Sequence, residues 1–268
     1  KGGPSGVIAT VKQGAILQAG DDVDVRPREW MLVDLSAGGI GGGFYAGVGA
    51  SIALANLHSN TEAGIYGSVS ADDDVWVQAS LEETTDARSW AGNGGIAGLG
   101  ASIAIVNETS EQTARVAHQG NIAKADRLAV VADNTQNVYA QTGQGALGLA
   151  AGGASVAKIN AAGLTEAYIS DSVIGFKVVD GASSPTDPAL ATVGNVFVAA
   201  QSNTSMGTKA TAVNAGIAAG AGTTSKVTVG SQILTWVGQG SELLVSGDLN
   251  VWTNSDLSGR TDALSVVP

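Results

Sequence analysis

The chain has no cysteine, two histidines, five prolines and few large rings: 3 Phe, 4 Tyr and 5 Trp in 268 residues. Without cysteine there is neither a disulfide framework nor a thiolate metal site. Aromatics at 4% are too sparse for a globular core built on large rings. Ala, Val, Ile, Gly and Thr dominate instead and suit a narrow core on pleated strands. Basic residues are also scarce, 13 against 24 acidic ones, for a net charge of -11. That balance disfavours nucleic acid and anionic membrane, which call for clustered Lys and Arg. No apolar run reaches the roughly 18 residues of a spanning helix, so no membrane insertion is expected. The opening KGGPSG carries neither an initiator Met nor a signal-peptide pattern and reads as an internal piece of a longer array.

What is present is repetition. A short strand pattern recurs as DDVDV, DDVWV, DRLAV, GNVFV and GDLNV, with first apolar residues Val23, Val75, Leu128, Val196 and Leu249. The steps are 52, 53, 68 and 53 residues. A fixed period of this size marks a stacked, quasi-one-dimensional architecture. A second recurring segment reads GASIA at Gly49, GASIA at Gly100, GASVA at Gly153 and a degraded GTTSK at Gly222. It divides each repeat into halves of about 26 residues, close to one turn of a β-solenoid. The expectation is therefore an all-β chain, a parallel β-helix with about two turns per ~52-residue repeat. Ten such turns make about 48 Å of rod at ~4.8 Å per strand. Residues 1–268 form a single repeat domain.

The Gly-Ala segment alternates with period two, which argues for a strand; Gly at this density costs close to 1 kcal/mol per residue in a helix interior. In its first copy Ile40, Phe44, Val48, Ile52 and Leu54 share an aliphatic face, and Gly39, Gly41, Gly43, Gly47, Gly49 and Ser51 share a nearly bare one. The bare face either lies outward, where a neighbour could pack on it, or lies inward and lets layers approach closely. An Asn follows each segment (Asn56, Asn107, Asn160), then a Thr-bearing strand at Thr61, Thr113 and Thr165. The third interval is longer by about 16 residues, which places a loop insertion at about 175–194. Pro185, Pro188 and the Ser-Ser-Pro-Thr-Asp run mark it as a surface excursion. Its residues Ser183, Ser184, Thr186 and Asp187 are the candidate binding loop, since repeat proteins often carry binding on insertions.

Catalytic patterns are thin. His58 and His118 sit at non-equivalent positions in polar, turn-like contexts, and neither HExxH nor GxSxG occurs. An active site on one sheet face would draw on Asp72, Asp73 and Asp74, or on Asp21, Asp22 and Asp24 with Arg127; acidic turns that open a strand are the simpler reading. For metal, Asp72, Asp73 and Asp74 offer hard oxygen ligands to calcium. At two turns per repeat, however, Asp21, Asp73 and Asp126 stand about 10 Å apart, too far to share an ion, and Gly194 and Gly247 end the series. The glycine-rich calcium-binding repeat pattern is missing too, because Ala46 stands where it needs Asp. No cofactor is expected.

Gly67 to Ala79, GASIAxxN at Gly49–Asn56 and Gly100–Asn107, and TxAxI at Thr61–Ile65 and Thr165–Ile169 together resemble the repeat region of leukotoxin-type filamentous adhesins. The broader filamentous haemagglutinin-like group of large bacterial exoproteins stands behind them. The resemblance covers nearly the whole chain and supplies no catalytic residues. It implies a right-handed parallel β-helix, export to the extracellular space or cell surface, and adhesion or an extended stalk. The expected partners are a host or neighbouring-cell surface protein or glycan, or other copies of the chain. The alternatives are a self-assembling extracellular filament subunit and a polysaccharide-active β-helix enzyme.

Overall fold

The computed structural model describes residues 6–176 and 192–267. All regular structure among them is β-strand, and every strand pairing is parallel. The first sheet runs β1 (Ile8–Val11), β6 (Asn60–Ile65), β10 (Glu111–Val116), β13 (Leu164–Ile169) and β17 (Gln232–Val237). A second sheet holds the long strands β4 (Arg28–Gly42), β8 (Asp74–Gly94), β11 (Asn121–Leu147), β15 (Val193–Ala215) and β19 (Leu249–Val266). Its short members are β2 (Ile16–Ala19), β3 (Val23–Val25), β7 (Ser68–Ala71), β14 (Val173–Ile174) and β18 (Glu242–Leu243). The third sheet runs β5 (Ala46–Leu57), β9 (Ala97–Glu108), β12 (Ala150–Ala161) and β16 (Ala218–Val229).

The register follows the repeat. Val23 pairs with Val75, Val75 with Leu128, Leu128 with Val196 and Val196 with Leu249. Each step from strand to hydrogen-bonded neighbour is thus one whole repeat, so a repeat contributes one layer and not two turns. The Val-x-Val and Gly-Ala segments are different sheets of the same layer, which is why halving the period misled. Five layers stand about 24 Å high at ~4.8 Å each, half the expected rod. The chain is wide instead: the 21 residues of β8 span roughly 70 Å at ~3.3 Å per residue.

Two alignments also shift by one residue. Gly153 pairs with Ala221, so Gly222 occupies the Ala column. Thr61 and Thr165 both pair with Gln112, so Thr113 belongs one column along, beside Glu62. A slip of one position exchanges faces, which is how Gln112 comes to be buried and Thr113 only partly so. The insertion leaves the stack undisturbed: β11 and β15 pair in unbroken register from Arg127–Asn195 to Leu147–Ala215. Its flanks meet where the Thr192 N–H donates to the Gly175 carbonyl at 2.7 Å. Ser183, Ser184, Thr186 and Asp187 lie outside the described residues.

Small and β-branched side chains fill the interior in columns. Val25, Val77, Val130 and Val198 form one, with Ile65, Val116 and Ile169 facing it from the first sheet, all buried. Burying each such side chain contributes on the order of 1.5–3 kcal/mol. A second cluster around Ala53, Ala104, Val106, Val138, Ile159 and Met206 lies between the long strands and the third sheet.

The third sheet settles which face of the Gly-Ala segment points inward. Gly47, Gly49, Ser51, Ala53 and Ala55 are buried, while Val48, Ile52 and Leu54 are 70%, 64% and 51% exposed. Glycine is required by close approach. A Cβ on Gly100 would fall on the Asn93 amide nitrogen, and one on Gly153 would fall on the Gln144 carboxamide. The bare face is therefore the inner one, and the aliphatic face is left outside. Replacing Val77 by Asp, a charge with no partner in the column, is expected to lower stability by at least about 3 kcal/mol. Thermal denaturation checks this; an unchanged melting temperature contradicts the register.

Candidate functional site

The acidic turn joins β7 to β8, and its counterpart joins β2 to β3. Because layers are one repeat apart, Asp73 sits directly beside Asp21. Carboxylate oxygens of Asp21, Asp22 and Asp73 all lie within 4.8 Å of one another, on an exposed edge. The 10 Å separation expected from two turns per repeat is thus corrected, because these carboxylates are nearest neighbours along the stack. The trio Asp72, Asp73 and Asp74 is not brought together as a ligand set. Asp72 pairs with Lys124 at 2.7 Å, and Asp74 pairs with Arg127. The hydrogen bond to Asp21 pushes the Asp73 carboxyl above its ordinary range, with slight desolvation and the charges of Asp21, Asp126 and Asp22 acting the same way.

The same column shows what these side chains do for the stack. Asp22 Oδ1 accepts the Asp74 N–H at 2.9 Å, and Asn195 Oδ1 accepts the Asp248 N–H at 2.9 Å. Each caps the strand start one layer on. Asp24 is paired with Arg26 at 2.7 Å, and the Arg26 and Arg127 guanidinium carbons lie 4.6 and 4.8 Å from the Trp76 ring centroid. Asp22, Asp72, Asp74 and Arg127 are thus engaged in layer-to-layer contacts, and Asp24 in an ion pair within its own layer. Just beyond, Pro27 separates β3 from β4, and an open groove of about 470 Å³ is lined by Arg26, Arg28, Ser80, Glu82 and Asp133 among others. Burial pushes the Asp133 carboxyl up, and Arg28 opposes it.

The sequence reading missed a polar ladder on the outside of the first sheet. Arg115 donates to Glu62 at 2.7 Å, to the Tyr66 hydroxyl at 2.5 Å and to the Tyr168 hydroxyl at 2.9 Å. Tyr168 stacks on Trp236 at 4.2 Å between centroids and 6° between planes, and Trp236 donates to Glu166. Burial raises Glu62, but the hydrogen bonds from Tyr66 and Arg115 and the guanidinium charge outweigh it and hold the carboxyl below its usual value. Burial and the bond to Glu62 push Tyr66 up to about 12. The one-residue slip at Thr113 had hidden that Arg115, Tyr168 and Trp236 occupy a single column. The histidines stand apart: exposed His58 contacts the Thr109 carbonyl at 3.2 Å, and His118 lies in a left-handed turn (φ 53°) near Tyr66.

A second unforeseen cluster lies inside. Glu83 and Glu108 are 1% and 0% exposed. Glu83 accepts from Thr85 at 2.8 Å and Gln136 at 3.2 Å; Glu108 Oε1 accepts the Ser110 N–H at 2.8 Å, and its Oε2 is buried without a hydrogen bond. Both alternate onto the inner face, a position that periodicity alone assigns to apolar residues. Burial, helped by the charge of Glu108, pushes Glu83 from an ordinary 4.5 up to about 7, with Thr85 and Gln136 pulling the other way.

Comparison with protein-family models, with curated proteins and with solved structures finds no match to this chain.

Because the folded state raises the Glu83 pKa, folding takes up a proton between the two values. The stabilisation is full below 4.5 and is lost as pH rises through about 7. That loss is on the order of 3 kcal/mol. The Glu83→Gln variant is expected to flatten the fall of melting temperature across this window and to exceed the parent above it. An unaltered slope would show that Glu83 titrates normally.

Proposed function

We propose that the chain is a segment of a right-handed parallel β-helix, non-catalytic, serving as a structural or adhesive part of a large secreted or cell-surface bacterial protein. The three sheets are then the faces of the coil, each repeat one circuit. The observation that carries this reading is the unbroken register across all five repeats, in which long strands stack residue for residue. Such stacking gives broad, stiff faces held by continuous backbone ladders, and stacked repeats characteristically present extended binding surfaces. The family resemblance of the GASIAxxN and TxAxI segments supports the surface location. The partner class is a cell-surface protein or glycan.

The contact chemistry also favours scaffold over catalysis. Asp22, Asp74 and Arg127 cap or pair adjoining layers, and the Arg115 ladder binds layer to layer through Glu62, Tyr66 and Tyr168. A turnover screen on uronate-containing and neutral glycans tests the proposal, with the parent chain beside Asp73→Asn and Asp74→Asn. No product is expected from any of the three. Cleavage by the parent that disappears in either variant would establish the β-helix enzyme instead.

A further inference from the structure

We propose that the outer face of the third sheet joins two copies of this chain, face to face, about a twofold axis running along the stack. The face consists of alternate residues of β5, β9, β12 and β16, and three properties point to a second copy as its occupant.

The first is area. Four strands of 12 residues make a face of roughly 750 Å² at ~3.3 Å per residue and ~4.8 Å per strand. A stable pair of standard size buries about 800 Å² per partner. Val48, Leu99, Ile52 and Leu54 are 70%, 57%, 64% and 51% exposed on it, a cluster of large aliphatic side chains rimmed by polar ones, as at an interaction surface.

The second is charge. The chain carries -11 overall, so two copies repel on most approaches. The outward positions of this sheet hold no carboxylate, and their only charges are Lys158 and Lys226. Two acidic bodies meet there with the least repulsion, and the lysines offset part of the remaining field.

The third is shape, and it names the symmetry. Register stacks the outward side chains in columns: Ala50, Ala101, Ala154 and Gly222 form a groove, and Ile52, Ile103, Val156 and Thr224 a ridge beside it. A twofold axis along the stack over the sheet centre keeps each layer level with its own copy and reverses the strands. Ile52 of one copy then faces Ala50 of the other, and Ile103 faces Ala101. Val48 and Leu99 meet Leu54 and Ile105, while Lys158 and Lys226 face Gly152 and Gly220, which leave room for the long side chains. Ridge enters groove in every layer, as a self-complementary twofold contact requires at the ~10 Å spacing of packed sheets.

Sedimentation equilibrium of the intact chain across the micromolar range tests this, with circular dichroism confirming that each variant is folded. The parent is expected to reach twice the chain mass, and Ile52→Lys/Ile103→Lys to remain at the single-chain mass. Ala101→Leu separates fit from general stickiness. Filling the groove is expected to raise the dissociation constant at least about tenfold, whereas indiscriminate apolar association would tighten. Trp30→Lys, on the equally exposed outside of β4, is expected to dimerise like the parent. A parent that stays monomeric, a dimer that survives the double lysine change, or an Ala101→Leu dimer as tight as the parent's would each overturn the proposal.

Discussion

Everything in this structure depends on backbone hydrogen bonds that connect each residue to one a full repeat away. The offset between paired residues is 51 to 54 positions, or 68 to 69 across the insertion. Because the pairing is parallel and in register, like sits on like, and any property of one layer becomes a column. Valine at position 77 has valines above and below; asparagine at 107 has asparagines on either side. The hydrophobic columns reward that repetition, since Val, Ile and Leu pack against identical or similar aliphatic neighbours. Charged columns are penalised by it, and the chain breaks them. Arg127 stands beyond Asp74, and Thr113 is placed between Glu62 and Glu166. Like-charge neighbours remain at Asp34 beside Asp86 and at Asp21 beside Asp73, and at the second a carboxyl is pushed above its ordinary value.

The interior is not uniform. One apolar cluster lies beneath the first sheet and another between the long strands and the third sheet, and a band of buried polar groups separates them. Glu83, Glu108, Gln112, Gln136 and Thr165 belong to that band. At the far end of the interior the glycines of β5, β9 and β12 bring the walls so close that the Asn93 and Gln144 carboxamides take the space where a Cβ would stand. A thin, partly polar interior costs desolvation, and the apolar columns and the long backbone ladders offset it.

Much of this was legible in the sequence. The stacked class, the Val23-to-Leu249 column and the site of the insertion all follow from spacing, because a register repeated five times overdetermines itself. Spacing failed where two segments of one layer share a composition: Gly49 and Val23 look like successive turns, yet they belong to different sheets. Alternation named the residues that share a face of β5 but could not say which face was inside, and the usual preference for burying Ile52 over Gly49 pointed the wrong way. Only the close approach of Asn93 and Gln144, a long-range fact, reverses it. Gln112 and Thr113 show the same limit on a smaller scale, since both side chains are tolerable on either face of a strand. Of the candidate site residues, Asp73 was found for its type but paired with the wrong companions, and Glu83 carries no sequence signal beyond being a charge at an inward position.

One repeat per layer fixes the economy of growth. About 52 residues raise the stack by only ~4.8 Å, so a reach of 100 Å would consume on the order of a thousand residues. A chain built for distance would use short coils that climb quickly. This one spends its length on breadth, with strands of up to 27 residues, and each added repeat enlarges every face by one row. Evolution of such a protein proceeds by widening or lengthening its faces in rows, and a change at one position is read out as a single rung in a stripe that the neighbouring repeats already define.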